Sequence, residues 1–199
     1  MRLILASASP RRAELLRAAG FDFLIVAADV DETVRQDEAP ATYVRRLAAE
    51  KSAAAAASYN HVASGFSRTS EDDVVILAAD TAVIVDGKIL GKPHDDADAA
   101  RMLRALGGRR HDVMTGISLR RGAYEVGRVE TTAVFFRPLS QEEISWYAAS
   151  GEGRDKAGGY AIQGRASRFI PRIDGSYSNV VGLPVASVVE LLADVGIVG

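Results

Sequence analysis

VVILAADTAVIVDGKILGKP, residues 74–93, is the clearest β signal in the chain. A continuous apolar run ends at Asp80-Thr81, as befits a strand covered on both faces, and Asp86-Gly87 between β-rich flanks marks a tight hairpin. A charged residue rarely follows such a run unless it has reached a cleft, and in sheets with parallel strands ligands collect beyond the strand ends. A carboxylate at Asp80 can hold Mg²⁺ against phosphate oxygens or act as general base toward a water. Its structural alternative is to cap the next turn.

Upstream, RLILA at 2–6 reads as a second buried strand. Ser9-Pro10 then supplies an N-cap with proline at the first helical position. Leu15, Leu16 and Ala19 recur at helical spacing, and Gly20 stops the helix. FDFLIVAADV, 21–30, is a further strand candidate, and VDETVRQDEAPA, 30–41, an acidic loop. TYVRRLAAEKSAAAAASY, 42–59, predicts a long helix, because alanine has the highest helix propensity and Tyr43, Leu47 and Ala54 provide an apolar face. NHVASGFSRTSEDD, 60–73, is polar and without period, an exposed loop.

Downstream, DADAARMLRALGG at 96–108 is an amphipathic helix closed by two glycines. HDVMTGISLRR and YEVGRVETTAVFFRPL alternate enough to pair antiparallel. Ser140 and Glu143 form a capping box for QEEISWYAAS, where Trp146 and Tyr147 are expected on a packed face. Residues 151–184 are loop-rich and glycine-rich, and PVASVVELLADVG at 184–196 is a closing helix. With neither repeats nor a linker, the pattern predicts one domain over 1–199 of α/β (α+β) class: a mixed sheet with helices packed on it.

Composition narrows the chemistry. The 24 Lys and Arg against 26 Asp and Glu leave a net charge of −2, so no overall positive field favours nucleic acid or an anionic membrane. The absence of cysteine excludes disulfides and thiolate chemistry and agrees with a cytoplasmic setting. The apolar start is shorter than a signal peptide needs, and Glu190 and Asp194 interrupt the apolar C-terminus before it reaches the length of a membrane span. His61, His94 and His111 show no metal-ligand spacing and are read as structural. Neither a Walker-type phosphate loop nor a nucleophile elbow is present.

Two further stretches can meet a ligand. In SASPRR, 7–12, a serine-containing turn at a helix N-terminus offers free N–H groups to phosphate, and Arg11 and Arg12 add bidentate donors. In DKAGGYAIQG, 155–164, glycines permit close backbone approach, and the Gln163 amide offers a donor and an acceptor to a base edge. Glu32, Lys51 and Lys92 are candidates for a second carboxylate and for phosphate-binding ammonium groups. Taken singly, each reads as an ordinary surface charge.

Taken together, SASPRRAELL, YVRRLAAEKS, AADTAV, LGKP, DKAGGYAIQG and GSYSNVVGLP resemble the Maf family of nucleoside triphosphate pyrophosphatases, in that family's order across nearly the whole chain. The resemblance implies a fold like that of the inosine triphosphatases: a mixed, elongated sheet flanked by helices, with two lobes around a nucleotide cleft. It implies hydrolysis of a triphosphate to the monophosphate and pyrophosphate with a divalent metal, Mg²⁺ or Mn²⁺, and a homodimer. The glycine block is similar to that of the dTTP/UTP branch.

Carried onto this sequence, the resemblance places the catalytic aspartate at Asp80 and the specificity positions at Arg12, Thr81 and Gln163. The phosphate and metal neighbourhood takes in Ser7, Ser9, Arg11, Glu32, Lys51, Lys92 and Lys156, with Glu32 and Asp80 as metal ligands. Ala161 departs from the family's glycine, which would perturb the base pocket slightly, and the loop at 64–73 looks longer than is typical. A competing reading is a nucleotide-binding regulator of cell division, acting in septum formation with little turnover.

Overall fold

The computed structural model describes residues 1–63 and 74–196. In chain order the strands are β1 (Arg2–Leu5), β2 (Leu24–Ile25), β3 (Val74–Val85), β4 (Lys88–Leu90), β5 (Arg110–Arg121), β6 (Tyr124–Phe135) and β7 (Arg172–Asp174). The helices are α1 (Pro10–Ala18), α2 (Pro40–Ala63), α3 (Asp96–Leu106), α4 (Gln141–Ala149), α5 (Tyr177–Val181) and α6 (Val185–Asp194). The seven strands form one sheet in the order β2-β1-β3-β5-β6-β7, with β4 hydrogen-bonded to β3. β2 and β3 run parallel to β1, whereas β4 is antiparallel to β3 and β7 to β6. The sheet is therefore mixed, as the sequence pattern predicts.

The chain divides into two compact units: residues 1–80, 115–130 and 182–199 form the first, and residues 81–114 and 131–181 the second. In the first unit the apolar run of β3 is explained by its two faces. Val75, Leu77 and Ala79 join Leu3 and Leu5 of β1 in a core with Leu16 of α1 and Val188, Leu191 and Leu192 of α6. Val74, Ile76 and Ala78 turn to the opposite face with Ile4, Ala6 and Ala55 of α2. Every residue of this half-strand is buried, so alternation is lost and the sequence shows an unbroken apolar run.

Helix α2 buries Tyr43, Val44, Leu47, Ala48, Lys51, Ser52 and Ala55, two adjacent rows at helical spacing. It starts at Pro40 and runs to Ala63, beyond the expected 42–59, because residues 60–63 continue the helical backbone rather than opening a loop. The rest of that expected loop, including the longer-than-typical 64–73 segment, lies outside the described residues. Contact of α2 with the sheet is close: a Cβ on Gly116 would lie 2.2 Å from the Val44 carbonyl oxygen, so only glycine fits there.

The second unit packs Val83 and Val85 with Leu103 and Leu106 of α3, Ile144 and Tyr147 of α4, and Phe136, Tyr160 and Phe169. At the β3–β4 turn, Asp86 and Gly87 both take positive φ, 51° and 73°, as the Asp-Gly pair predicts. The capping box of Ser140 and Glu143 is formed. Trp146 stands apart from expectation: it is exposed, with the Arg168 guanidinium over its ring, while its neighbour Tyr147 is buried.

Three other differences have local causes. The strand expected over 21–30 shortens to Leu24–Ile25, both side chains exposed on an outer strand with little to bury. The segment expected as loop from 151 onward contains β7 and α5, each too short to leave a periodic signal. Ser9 is the N-cap residue of α1, yet its side chain makes no capping bond. Among the described residues no helix is long and apolar enough to cross a membrane.

Candidate active site

Lys51 of α2, Glu32 of the loop before α2 and Asp80 of β3 meet in the first unit. The Lys51 ammonium donates to Glu32 Oε1 at 2.7 Å and to Asp80 Oδ1 at 2.6 Å. Lys51 and Asp80 are both buried, whereas the Glu32 side chain is 45% exposed. One ammonium thus bridges two carboxylates, and the desolvated half of the pair is the stronger electrostatically. Asp80 reaches this position because β3 carries it inward along a fully buried strand. Lys51 reaches it because it occupies the apolar face of α2.

Tyr43, about two helical turns earlier on α2, donates its hydroxyl to the Glu32 main-chain oxygen at 3.0 Å. Burial, with the charges of Asp80 and Glu32, pushes that hydroxyl up to about 12, so it remains a donor at neutral pH. The contact ties the acidic loop to the helix that bears Lys51.

Arg12, in the first turn of α1, donates Nε to the Gly182 oxygen at 2.8 Å and Nη1 to the Ala79 oxygen at 2.7 Å and to Ser7 Oγ at 3.3 Å. Burial lowers its pKa from the ordinary arginine value, with Asp80 and Glu32 pulling the other way. Ser7 Oγ also accepts the Ser9 N–H at 3.2 Å, which leaves the Ser7 hydroxyl proton to donate. Arg12 therefore clamps the serine turn to the chain just before Asp80. Arg11 is half-buried in the same helical turn.

The first unit accordingly gathers Ser7, Ser9, Arg12, Glu32, Lys51 and Asp80, which are scattered over 74 positions of sequence. Thr81, Lys92, Lys156 and Gln163 belong to the second unit. Thr81 is half-buried; Lys92 is exposed after β4; Gln163 is exposed within the glycine block. Lys156 donates to the Glu152 main-chain oxygen at 2.7 Å and pairs with Asp155.

The glycine block is an ordered turn system. Gly158 and Gly159 both have φ of +71°, and the Gly158 N–H donates to the Gly91 oxygen at 3.0 Å. The Ala161 N–H donates to the Tyr147 hydroxyl at 3.0 Å. At the far end the Glu152 carboxylate accepts the Arg165 N–H, and a Cβ on Gly164 would strike that carboxylate. Among the described residues only Asp37 and Asp86 combine a side chain with positive φ, so alanine at 161 brings no backbone strain.

Among the described residues no group of three or more His, Asp or Glu side chains is placed to hold a metal ion. Glu32 and Asp80 are two hard oxygen donors already sharing one cation, Lys51, which is donor chemistry suited to Mg²⁺ or Mn²⁺ completed by phosphate oxygens and water. Sequence reading missed the polar contacts of Tyr43, to the Glu32 main-chain oxygen, and of Tyr147, to the Ala161 N–H. Each looks like a core aromatic until its polar tip is located.

The family model described as Maf-like protein matches residues 2–195. The dTTP/UTP pyrophosphatase of Syntrophus aciditrophicus is 46% identical over 197 residues, covering 98% of this chain and 90% of that protein. That of Symbiobacterium thermophilum is 47% identical over 195 residues, with 98% and 94% covered. That of Shewanella oneidensis is 48% identical over 203 residues, covering the whole of both. With such coverage by both the family model and full-length relatives, the chain belongs to the Maf family.

Proposed function

We propose that this chain hydrolyses dTTP and UTP to the nucleoside monophosphate and pyrophosphate, the activity named for its relatives. The observation that carries the reading is the buried Lys51 ammonium held between Glu32 and Asp80. A carboxylate and an ammonium kept this close, on regular elements, are preorganised for attack of water on a phosphorus atom.

In this mechanism Asp80 orients the attacking water and takes up its proton as the α-phosphorus–oxygen bond to the pyrophosphate breaks. Lys51 is within reach of Asp80 and lends positive charge to the phosphate oxygens, with Arg11 and Lys92 as further donors to the departing pyrophosphate. The serine turn presents the Ser7 hydroxyl, held in place by Arg12, so Arg12 acts on selectivity through the turn it fixes. Glu32 and Asp80 would hold Mg²⁺ or Mn²⁺. Such an ion supplies neutralisation of phosphate charge.

Base selection falls to Gln163, whose amide can pair with the O4 and N3–H edge common to thymine and uracil, with Thr81 beside Asp80 as a second polar group. A hydrogen-bonding site rejects the wrong base more strongly than an apolar one, because its polar groups are then left unpaired. The test is to incubate the protein with dTTP, UTP, CTP and GTP in Mg²⁺ or Mn²⁺ and to resolve monophosphate, diphosphate, pyrophosphate and phosphate. Pyrophosphate and monophosphate from dTTP and UTP, absent with Asp80→Asn, are the expected result. Intact nucleotide after prolonged incubation, with tight binding, would replace hydrolysis by the regulator reading.

A further inference from the structure

His111 lies in the buried core of the second unit, 2% exposed, with Nε2 2.8 Å from the Tyr160 hydroxyl. Its Nδ1 is buried with no hydrogen-bond partner. The rings of His111, Phe136 and Tyr160 pack edge-to-face in a closed triangle, with centroids 5.1, 5.5 and 5.0 Å apart. A histidine with one nitrogen orphaned is an expensive way to fill an apolar core; a phenylalanine would carry no polar atom of its own but would take the partner from the buried Tyr160 hydroxyl. What the imidazole provides is one directional contact, to Tyr160.

Tyr160 is the central residue of the glycine block. On its N-terminal side stand Gly158 and Gly159, whose positive φ lets the chain turn sharply. On its C-terminal side the Ala161 N–H is held by the Tyr147 hydroxyl. The two buried tyrosines, one pointing out of the block and one into it, hold the main chain two and three residues before Gln163. Glycine-rich backbone has little rigidity of its own, so a side chain carried by it is only as well placed as these anchors make it.

We infer that His111 is a positioning residue for base selection: through its hydrogen bond to Tyr160 it fixes the glycine block and thereby the setting of Gln163. The inference rests on the proposed base-reading role of Gln163. It assigns a task to a histidine that neither touches the nucleotide nor takes part in proton transfer. A buried polar pair of this kind contributes uniqueness of conformation more than net stability.

The experiment compares kcat/KM for dTTP with that for CTP in five variants. His111→Phe and Tyr160→Phe are each expected to lower the dTTP-to-CTP ratio by about tenfold, and their combination to lower it no further, since both remove the same contact. His111→Gln, whose amide can reach the Tyr160 hydroxyl, is expected to restore most of the ratio, which a purely structural role does not predict. Tyr160→Phe deletes a single oxygen and keeps the test valid if His111→Phe does not fold. An unchanged ratio in folded Tyr160→Phe, with a lowered ratio in Gln163→Ala, overturns the inference alone. An unchanged ratio in Gln163→Ala as well overturns both the inference and the base-reading role beneath it.

Discussion

The two units solve the problem of placing functional groups in opposite ways. In the first, charged side chains stand on regular elements and are fixed by one another: Lys51 on a helix, Asp80 on a strand, with the ammonium between two carboxylates. In the second, the glycine block is irregular and is fixed from outside by hooks: the Tyr147 hydroxyl and His111 through Tyr160, both buried, and the half-buried Glu152 carboxylate. The first arrangement suits a reaction that is the same for any nucleotide, since phosphate chemistry needs charge at set distances. The second suits discrimination, where small displacements of a backbone change which base edge is matched.

If that division holds, damage to the first unit's charges abolishes turnover, while damage to the second unit's hooks changes preference. Asp80→Asn should lower kcat by roughly 10²–10⁴-fold while far-UV circular dichroism stays that of the parent chain. Near-normal turnover would break the comparison at its base. Lys51→Met strands the buried Asp80 carboxylate, a loss expected at about 3–5 kcal/mol in urea unfolding. Adding Asp80→Asn to it should recover part of that loss, and strict additivity would show that the pair is not coupled.

His111 sharpens the comparison through pH. Burial, with the Arg110 charge adding, pushes its imidazole down to about 4, whereas an unfolded histidine titrates near the ordinary 6.5. Between those values the unfolded chain binds more protons, so stability is full above about pH 6.5 and is lost as pH falls toward about 4, by about 3 kcal/mol in total. The difference between parent and His111→Phe unfolding curves isolates this slope from the carboxylates. Gln163→Ala should cut the dTTP-to-CTP preference about tenfold with a smaller loss of maximal rate. The smallest effect belongs to Lys156→Met: its partner Asp155 is 72% exposed, and breaking such a pair should cost less than about 1 kcal/mol.

The same contrast decides what could be seen in advance. The glycine block is contiguous, so its composition alone singles out 155–164, and the Asp-Gly turn, the capping box and the mixed sheet are local signals that the structure reproduces. The trio of Glu32, Lys51 and Asp80 leaves no such trace, because a loop, a helix and a strand bring it together from 19 and 29 positions apart; only the family resemblance grouped these residues. Tyr43, Tyr147 and His111 were illegible for another reason. Hydrophobic patterning reports which ring is buried and says nothing about where its one polar atom points. β7 and α5 are too short for any period to register.

The order in which the chain builds these units carries a consequence for inheritance. The first is written in three separate pieces, 1–80, 115–130 and 182–199, and the second in the two intervals between them. Three of the four exchanges fall inside a strand, in β3, β5 and β6, and the fourth lies between α5 and α6. No continuous stretch of gene encodes either unit whole, so a crossover between the charge trio, within 1–80, and the glycine block, within 131–181, always parts the first unit's opening piece from its closing piece, 182–199. Point changes leave both units whole, and the hooks around the glycine block are where such changes cost the reaction least.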